Sequence, residues 1–343
     1  MYSDKVVIDA SYKSNPVTTK PVNIKYKKTL EKVLQRGDNR RRLLVNQTCS
    51  CKTESYNWTN VSKIASLTSQ SSPNRSKILC MKKRFPKALL VGMTKGGTTA
   101  LMSFINEHPT IVARTVRPFD TRYFNHYYDD KSYDWYKNLM PCSYAHQITV
   151  SRCTEYFFTS SVPERVRAFD PSMKLIVIVR EPVARALSQY VMWKYQAEYR
   201  IGNFSFEDAI TAGPNKDIDP TSRLIVVSNY QRHMQIWLKY FNLSQFLILD
   251  SLTFVTNPVK ELNKLEDFLG VDRFFTENNF VYNAKRQKYC VLSRDGVAKC
   301  QHKKKGMPHP PLKKDLKIKL ENFFKPRNNM FFKMINKSYD WGY

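Results

Sequence analysis

The stretch KALLVGMTKGGTTALMSFINEHP, residues 87–109, constrains the fold more than any other part of the chain. A short apolar run ends in Gly92, a glycine- and threonine-rich turn follows, and Leu101, Met102, Phe104 and Ile105 then recur at helical spacing up to Pro109. An apolar run of this length, bounded by glycine, predicts a strand buried on both faces. Strand, glycine turn and helix in that order predict an anion site, because the first-turn N–H groups of a helix have no intrahelical partner and carry the positive end of its dipole.

The same texture repeats downstream. KLIVIV (174–179) and FLILD (246–250) read as buried strands. Pro182 opens PVARALSQYVMWK in the first-turn position that proline favours, and PVKELNKLEDFLG reads as a helix closed by Gly270. Tyr230, Met234, Trp237, Leu238 and Phe241 share a helical stripe, read as core. Strands alternating with helices predict an α/β, P-loop-like three-layer fold with a central parallel sheet flanked by helices, whose ligands bind at the carboxyl ends of the strands.

The turn departs from an ATP-binding loop. Gly92 and Gly97 have its spacing, but Thr98 and Thr99 follow Gly97 where lysine and a hydroxyl residue are required, and the lysine comes early, at Lys95. The second strand ends in Arg180 rather than in an acid able to hold magnesium. These features disfavour a magnesium-dependent nucleoside triphosphatase and fit a donor with a single 5′-phosphate and no required metal. Arg180 supplies a bidentate fork and Ser188, eight residues on, a hydroxyl, a pair suited to a second phosphate. His126, His302 and His309 are unclustered, so no metal site is expected.

Together these elements resemble the sulfotransferases, and specifically the heparan sulfate glucosamine sulfotransferases: the 3-O-sulfotransferases and the related N-sulfotransferase domain. HPTIVART, YFNHYYDDKSYDWYKNLMP, FEDAITAG, FLILDSLTFVTNPVKELNKLEDFLGV and YCVLSRDGVAKCQHKKKGMPHP carry the resemblance over residues 85–343, and FKPRNNMFFKMINKSYDWGY is closer to the 3-O members. The resemblance implies transfer of a sulfonate from 3′-phosphoadenosine 5′-phosphosulfate to a glucosamine position, 3-O favoured, of heparan sulfate or a related glycosaminoglycan. It implies that Lys95 contacts the sulfonate and the bridging oxygen. Gly96, Gly97, Thr98 and Thr99 would cradle the 5′-phosphate, and Arg180 and Ser188 would hold the 3′-phosphate. Tyr289, Lys303, Lys305 and Gly306 would close over the donor, Tyr230 and Arg152 would face the acceptor, and Cys290 and Cys300 would form the family's disulfide. Without the resemblance, those two cysteines read equally as a local disulfide or as two free thiols.

The family's general base is a glutamate three residues before a Phe-Phe-Asp/Asn triplet. Here the triplet reads Tyr123-Phe124-Asn125, which puts Asp120 in that slot; counting forward from His108-Pro109 puts Arg117 there instead. Asp120 is preferred, because DWYKNLMP then aligns without a gap and arginine accepts no proton at neutral pH. Other departures are Ser151-Arg152-Cys153-Thr154 for Glu-Lys-Thr-Pro, Met307 for the final arginine of Lys-Gly-Arg, and Val226 for a glutamine of the 3-O members. They motivate two alternatives: a catalytically weakened protein that grips heparan sulfate, and an N-sulfotransferase.

Charge agrees with a polyanionic partner. Lys plus Arg total 56 against 29 Asp plus Glu, a net +27. Nucleic acid ranks last as that partner, since no recognised nucleic-acid motif is present. Residues 1–84 are basic and polar and read as a stem or tether largely without a core, ahead of a sulfotransferase domain over 85–343. Asn-x-Ser/Thr sequons begin at Asn46, Asn57, Asn60, Asn74, Asn203, Asn242 and Asn336, a lumenal signature. No apolar segment opens the chain, so the expectation is a Golgi-lumenal, type II membrane protein whose anchor is not present in this sequence.

Overall fold

The computed structural model describes Cys51 and residues 81–114, 120–195, 204–293, 296–300 and 309–342. Five strands form one parallel sheet: β1 (Ala88–Gly92), β2 (Ile111–Ala113), β3 (Ile148–Arg152), β4 (Lys174–Val179) and β5 (Phe246–Asp250), in the order β2-β3-β1-β4-β5. The register sets Leu89 opposite Ser151 on one side and Leu175 on the other, and Val177 opposite Ile248. β1 lies at the centre. The chain leaves it for one edge through β2 and β3, then crosses to the other through β4 and β5. The reversal falls between β1 and β4, where a crevice opens at the carboxyl edge of such a sheet.

Strand side chains alternate between two cores, as the period of two requires. Leu89, Val91, Leu175, Val177 and Ile248 face a cluster with Phe157, Tyr230, Trp237 and Phe331. Ala88, Leu90, Ile176, Ile178 and Leu249 face a second, built with Leu101, Phe104 and Ile105 of helix α1 (Thr98–Ile105) and with Leu262 and Leu265. Each such fully buried aliphatic side chain contributes about 1.5–3 kcal/mol. The three-layer expectation therefore holds, with both faces of the sheet covered.

Helix α2 (Val162–Phe169) precedes β4. Helix α3 (Pro182–Tyr195) follows it and packs with α4 (Arg223–Ser228) in a third cluster through Val183, Leu187 and Ile225. Helices α5 (Tyr230–Trp237), α6 (Ser251–Thr256) and α7 (Pro258–Leu269) come next, α7 closing on Gly270 at φ 72°. A three-stranded antiparallel sheet of β6 (Phe280–Asn283), β7 (Lys288–Leu292) and β8 (Ala298–Lys299) follows. Its last two strands are clipped by the Cys290–Cys300 disulfide. A second disulfide, Cys51–Cys142, was not expected; it joins residues 91 positions apart. The 22-residue helix α8 (Lys314–Ile335) carries Pro326 inside it. No described helix is long and apolar enough to cross a membrane.

Candidate active site

The β1–α1 turn is built so that backbone, not side chain, lines its inner wall. Met93 N–H donates to the Ile178 carbonyl of β4 at 3.1 Å, and Gly96 N–H turns back to the Met93 carbonyl at 2.9 Å. A Cβ on Gly96 would stand 2.3 Å from the Ile178 oxygen, so only glycine fits. Gly97 caps α1 at φ 109°, a left-handed conformation that a side chain would strain. The first turn of α1 holds no acid, so its N–H groups face the crevice without a competing carboxylate. A Gly96→Ala variant is expected to lose about 1–3 kcal/mol of stability through this overpacking. It is also expected to lose nucleotide affinity; thermal melting and calorimetry check the two effects separately.

Cations gather beside this cradle. Lys95 is half-buried and its pKa is lowered by burial first, then by the Arg180 and Arg185 guanidiniums. Arg180, immediately after β4, is likewise lowered by burial. Arg185 is fully buried, and burial pushes its pKa down to about 10. Its guanidinium donates to Ser228 Oγ at 2.7 Å, to the Leu224 carbonyl at 2.8 Å and to Gln189 Oε1, so it contributes field rather than a free fork. Lys288 of β7 joins the group, its pKa lowered by burial and then by Arg180, and the imidazole of His309 is kept neutral by burial, Arg180 and Lys95. Ser188 is half-buried on the second turn of α3.

The neighbouring strand end holds a carboxylate that comes from the segment after β2. Asp120 Oδ1 accepts from Arg152 Nε at 2.8 Å and from Thr154 N–H at 3.4 Å, while Oδ2 accepts from the Thr154 hydroxyl at 3.1 Å. Arg152 ends β3, is only 4% exposed, and donates through Nη1 to Thr99 Oγ1 at 3.1 Å. Thr94 Oγ1 donates to the Thr154 carbonyl at 3.2 Å, stitching the cradle to the same turn. The ends of β3, β1 and β4, three adjacent strands, therefore bring Arg152 with the Asp120 it holds, the cradle and Arg180 side by side.

Two expected positions differ. Tyr230 was expected to face the acceptor; it is 1% exposed, and its hydroxyl donates to the Arg180 carbonyl at 2.7 Å, so it braces the end of β4 from within the core. Burial raises its pKa. Arg152 donates to Asp120 and Thr99, internal acceptors of the kind a guanidinium this buried needs. Tyr289 is half-buried on β7 with its ring edge-on to Tyr282 at 5.2 Å. Lys303, Lys305, Gly306 and Arg117 lie outside the described residues. Arg185, Lys288, His309 and Thr154 were not read as site residues from the sequence; Lys288 adjoins the expected Tyr289, but no sequence spacing ties any of them to the loop. Among the described residues no three His, Cys, Asp or Glu side chains gather as a metal site.

A family model described as a sulfotransferase domain matches residues 85–337. This chain belongs to the sulfotransferase family. Among curated proteins the sulfotransferase is similar to heparan sulfate glucosamine 3-O-sulfotransferase 6 of Homo sapiens, 35% identical over 263 residues that span 76% of this chain and 75% of that protein. It is similar too to heparan sulfate glucosamine 3-O-sulfotransferase 5 of Mus musculus, 33% identical over 264 residues, 75% of this chain and 74% of the other. Among solved structures, the sulfotransferase from Alicyclobacillus acidocaldarius aligns with a TM-score of 0.55 at 19% identity, over 75% of this chain and 99% of that one, a likeness of fold.

Proposed function

We propose that this sulfotransferase moves a sulfonate from 3′-phosphoadenosine 5′-phosphosulfate to the 3-hydroxyl of a glucosamine in heparan sulfate or a related glycosaminoglycan. The observation that carries the reading is the meeting of a pinned carboxylate, Asp120, with a backbone cradle and a half-buried lysine at adjacent strand ends. The 33–35% identity to proteins named for that acceptor supports it. The residues fit the donor: burial first and then the nearby Arg180 and Arg185 lower the Lys95 pKa, a strain that a bound polyanion relieves.

The donor supplies a sulfonate on a phosphate leaving group. Gly96, Gly97, Thr98 and Thr99 would hold its 5′-phosphate through N–H groups and hydroxyls, and Arg180 with Ser188 its 3′-phosphate. Tyr289 with Lys303, Lys305 and Gly306 would cover it. Lys95 places a positive charge where negative charge accumulates as the phosphate oxygen departs. Asp120 takes the proton of the attacking hydroxyl, and Arg152 and Thr154 keep its carboxylate in one orientation. Tyr230 fixes the strand end that carries Arg180. Two disulfides, together with exposed sequon asparagines at Asn242 and Asn336, support a secretory-pathway lumen, which we take to be the Golgi.

Labelled donor and defined heparan oligosaccharides, followed by disaccharide analysis, test the reaction; label at the 3-position is the expected result, and no transfer to any oligosaccharide overturns it. Calorimetry tests the donor geometry. Adenosine 3′,5′-bisphosphate is expected to bind about 10- to 100-fold more tightly than adenosine 5′-monophosphate, the worth of a charge-assisted hydrogen-bond pair. Arg180→Ala is expected to erase that preference; equal weakening of both nucleotides would remove Arg180 from the 3′-phosphate.

A further inference from the structure

At the end of β5 one hydroxyl is left over. Ser251 opens α6, one residue after the Asp250 that ends the strand. Val179 lies opposite Asp250 in the register, so Arg180 and Ser251 leave the sheet at the same level of its carboxyl edge. The turn needs nothing from the Ser251 side chain. Asp250 caps α6 instead: its Oδ2 accepts from the Thr253 N–H at 2.7 Å and from the Thr253 hydroxyl at 2.8 Å. The Asp250 N–H donates to Glu261 Oε2 at 3.0 Å.

Ser251 is 8% exposed, and among the described residues its Oγ has no hydrogen-bond partner. Buried hydroxyls are nearly always bonded, because one held away from water without a partner costs free energy. This one is aimed at the cradle. Its Oγ lies 4.0 Å from the place a Cβ would take on Gly97, the residue that caps α1. The two other atoms nearest that place, Ile178 Cδ1 at 3.6 Å and Phe254 Cδ1 at 3.9 Å, accept no hydrogen bond.

We propose that Ser251 is a further donor-binding residue, whose hydroxyl donates to an oxygen of the nucleotide's 5′-phosphate beside the N–H groups of the β1–α1 turn. The inference rests on the donor proposed above. The nucleotide is then held from three strand ends: β1 through the turn, β4 through Arg180 and β5 through Ser251. A hydroxyl that is unpaired in the free protein and paired to a phosphate oxygen in the complex favours the bound state twice, once by the bond gained and once by the cost removed. The 5′-phosphate is present before and after the sulfonate leaves, so this contact strengthens ground state and transition state alike. Its loss therefore falls on the donor KM rather than on kcat.

Calorimetry on wild type and Ser251→Ala with adenosine 5′-monophosphate, adenosine 3′-monophosphate and adenosine 3′,5′-bisphosphate tests the contact. Ser251→Ala is expected to weaken the two 5′-phosphorylated nucleotides by the same factor, about tenfold, the scale of one hydrogen bond to a charged group. Affinity for the 3′-monophosphate should stay at the wild-type value, the donor KM should rise by the same factor, and kcat should hold. The unliganded variant should melt no lower than the wild type, since it loses an unpaired hydroxyl and keeps the Asp250 cap. Ser251→Cys, similar in bulk but a poor donor, carries the test if Ser251→Ala does not fold. Unchanged affinity for the 5′-phosphorylated nucleotides overturns the proposal, as does an equal loss on all three or a lower melting temperature without ligand. Binding of none of the three by the wild type overturns the donor reading itself, and this inference with it.

Discussion

A Lys95→Met variant is expected to lose sulfonate transfer by about 10²–10³-fold, the usual loss when one donor aimed at developing charge is removed, while melting no earlier than the wild type. Lys95 sits in the left-handed region at φ 72° on the cradle turn, and its charge is disfavoured by burial and by Arg180 and Arg185. A lysine whose folded pKa is depressed costs stability while it stays protonated. That cost is fully present below the folded pKa and vanishes as the pH rises past the ordinary value of 10.5. The apolar variant removes it, so melting at neutral pH should rise, and the gap to the wild type should close as the pH approaches 10.5. Unchanged turnover in a folded Lys95→Met protein would remove the lysine from the chemistry. A lower melting temperature would mean that the burial here is not a strain.

Asp120→Asn should produce a comparable loss of transfer by a different route, with the opposite sign on stability. The amide keeps the shape but takes no proton, and the loss of a general base costs about 10²–10⁴-fold. It also strips Arg152 of its counter-charge. Arg152's side chain is 5% exposed and Asp120's 22%, and breaking a buried pair costs about 3–5 kcal/mol; the partly open carboxylate puts the expected loss at the low end. Affinity for adenosine 3′,5′-bisphosphate should change little, because Asp120 reaches the cradle only at second hand, through Arg152 to Thr99 and through Thr154 to Thr94. Transfer within a few-fold of wild type would assign the proton to another group. A loss of nucleotide affinity equal to the loss of rate would make the carboxylate a scaffold for the donor site.

The sequence by itself determined the elements whose pattern is local. β4 and β5 fall at 174–179 and 246–250 as expected, because runs of aliphatic residues bounded by turns can only be buried strands here. Pro182 and Gly270 mark helix ends through backbone preferences that need no tertiary partner. The cradle was legible for the same reason, since Gly92, Gly96 and Gly97 announce a turn that side chains would fill. Tertiary structure alone decided what depends on residues distant in the chain. β2 is only three residues long and β3 is mixed in polarity, and they pair as strands only because β1 offers β3 an edge and β3 in turn offers one to β2. Pro326 argues against a long helix, yet α8 runs through it because Leu316, Leu320 and Phe324 pack into one core and Phe331 and Ile335 into another. Tyr230 went inward and Arg152 turned to Asp120 because a buried hydroxyl and a buried guanidinium must find acceptors, and which acceptors lie in reach is a property of the assembled sheet.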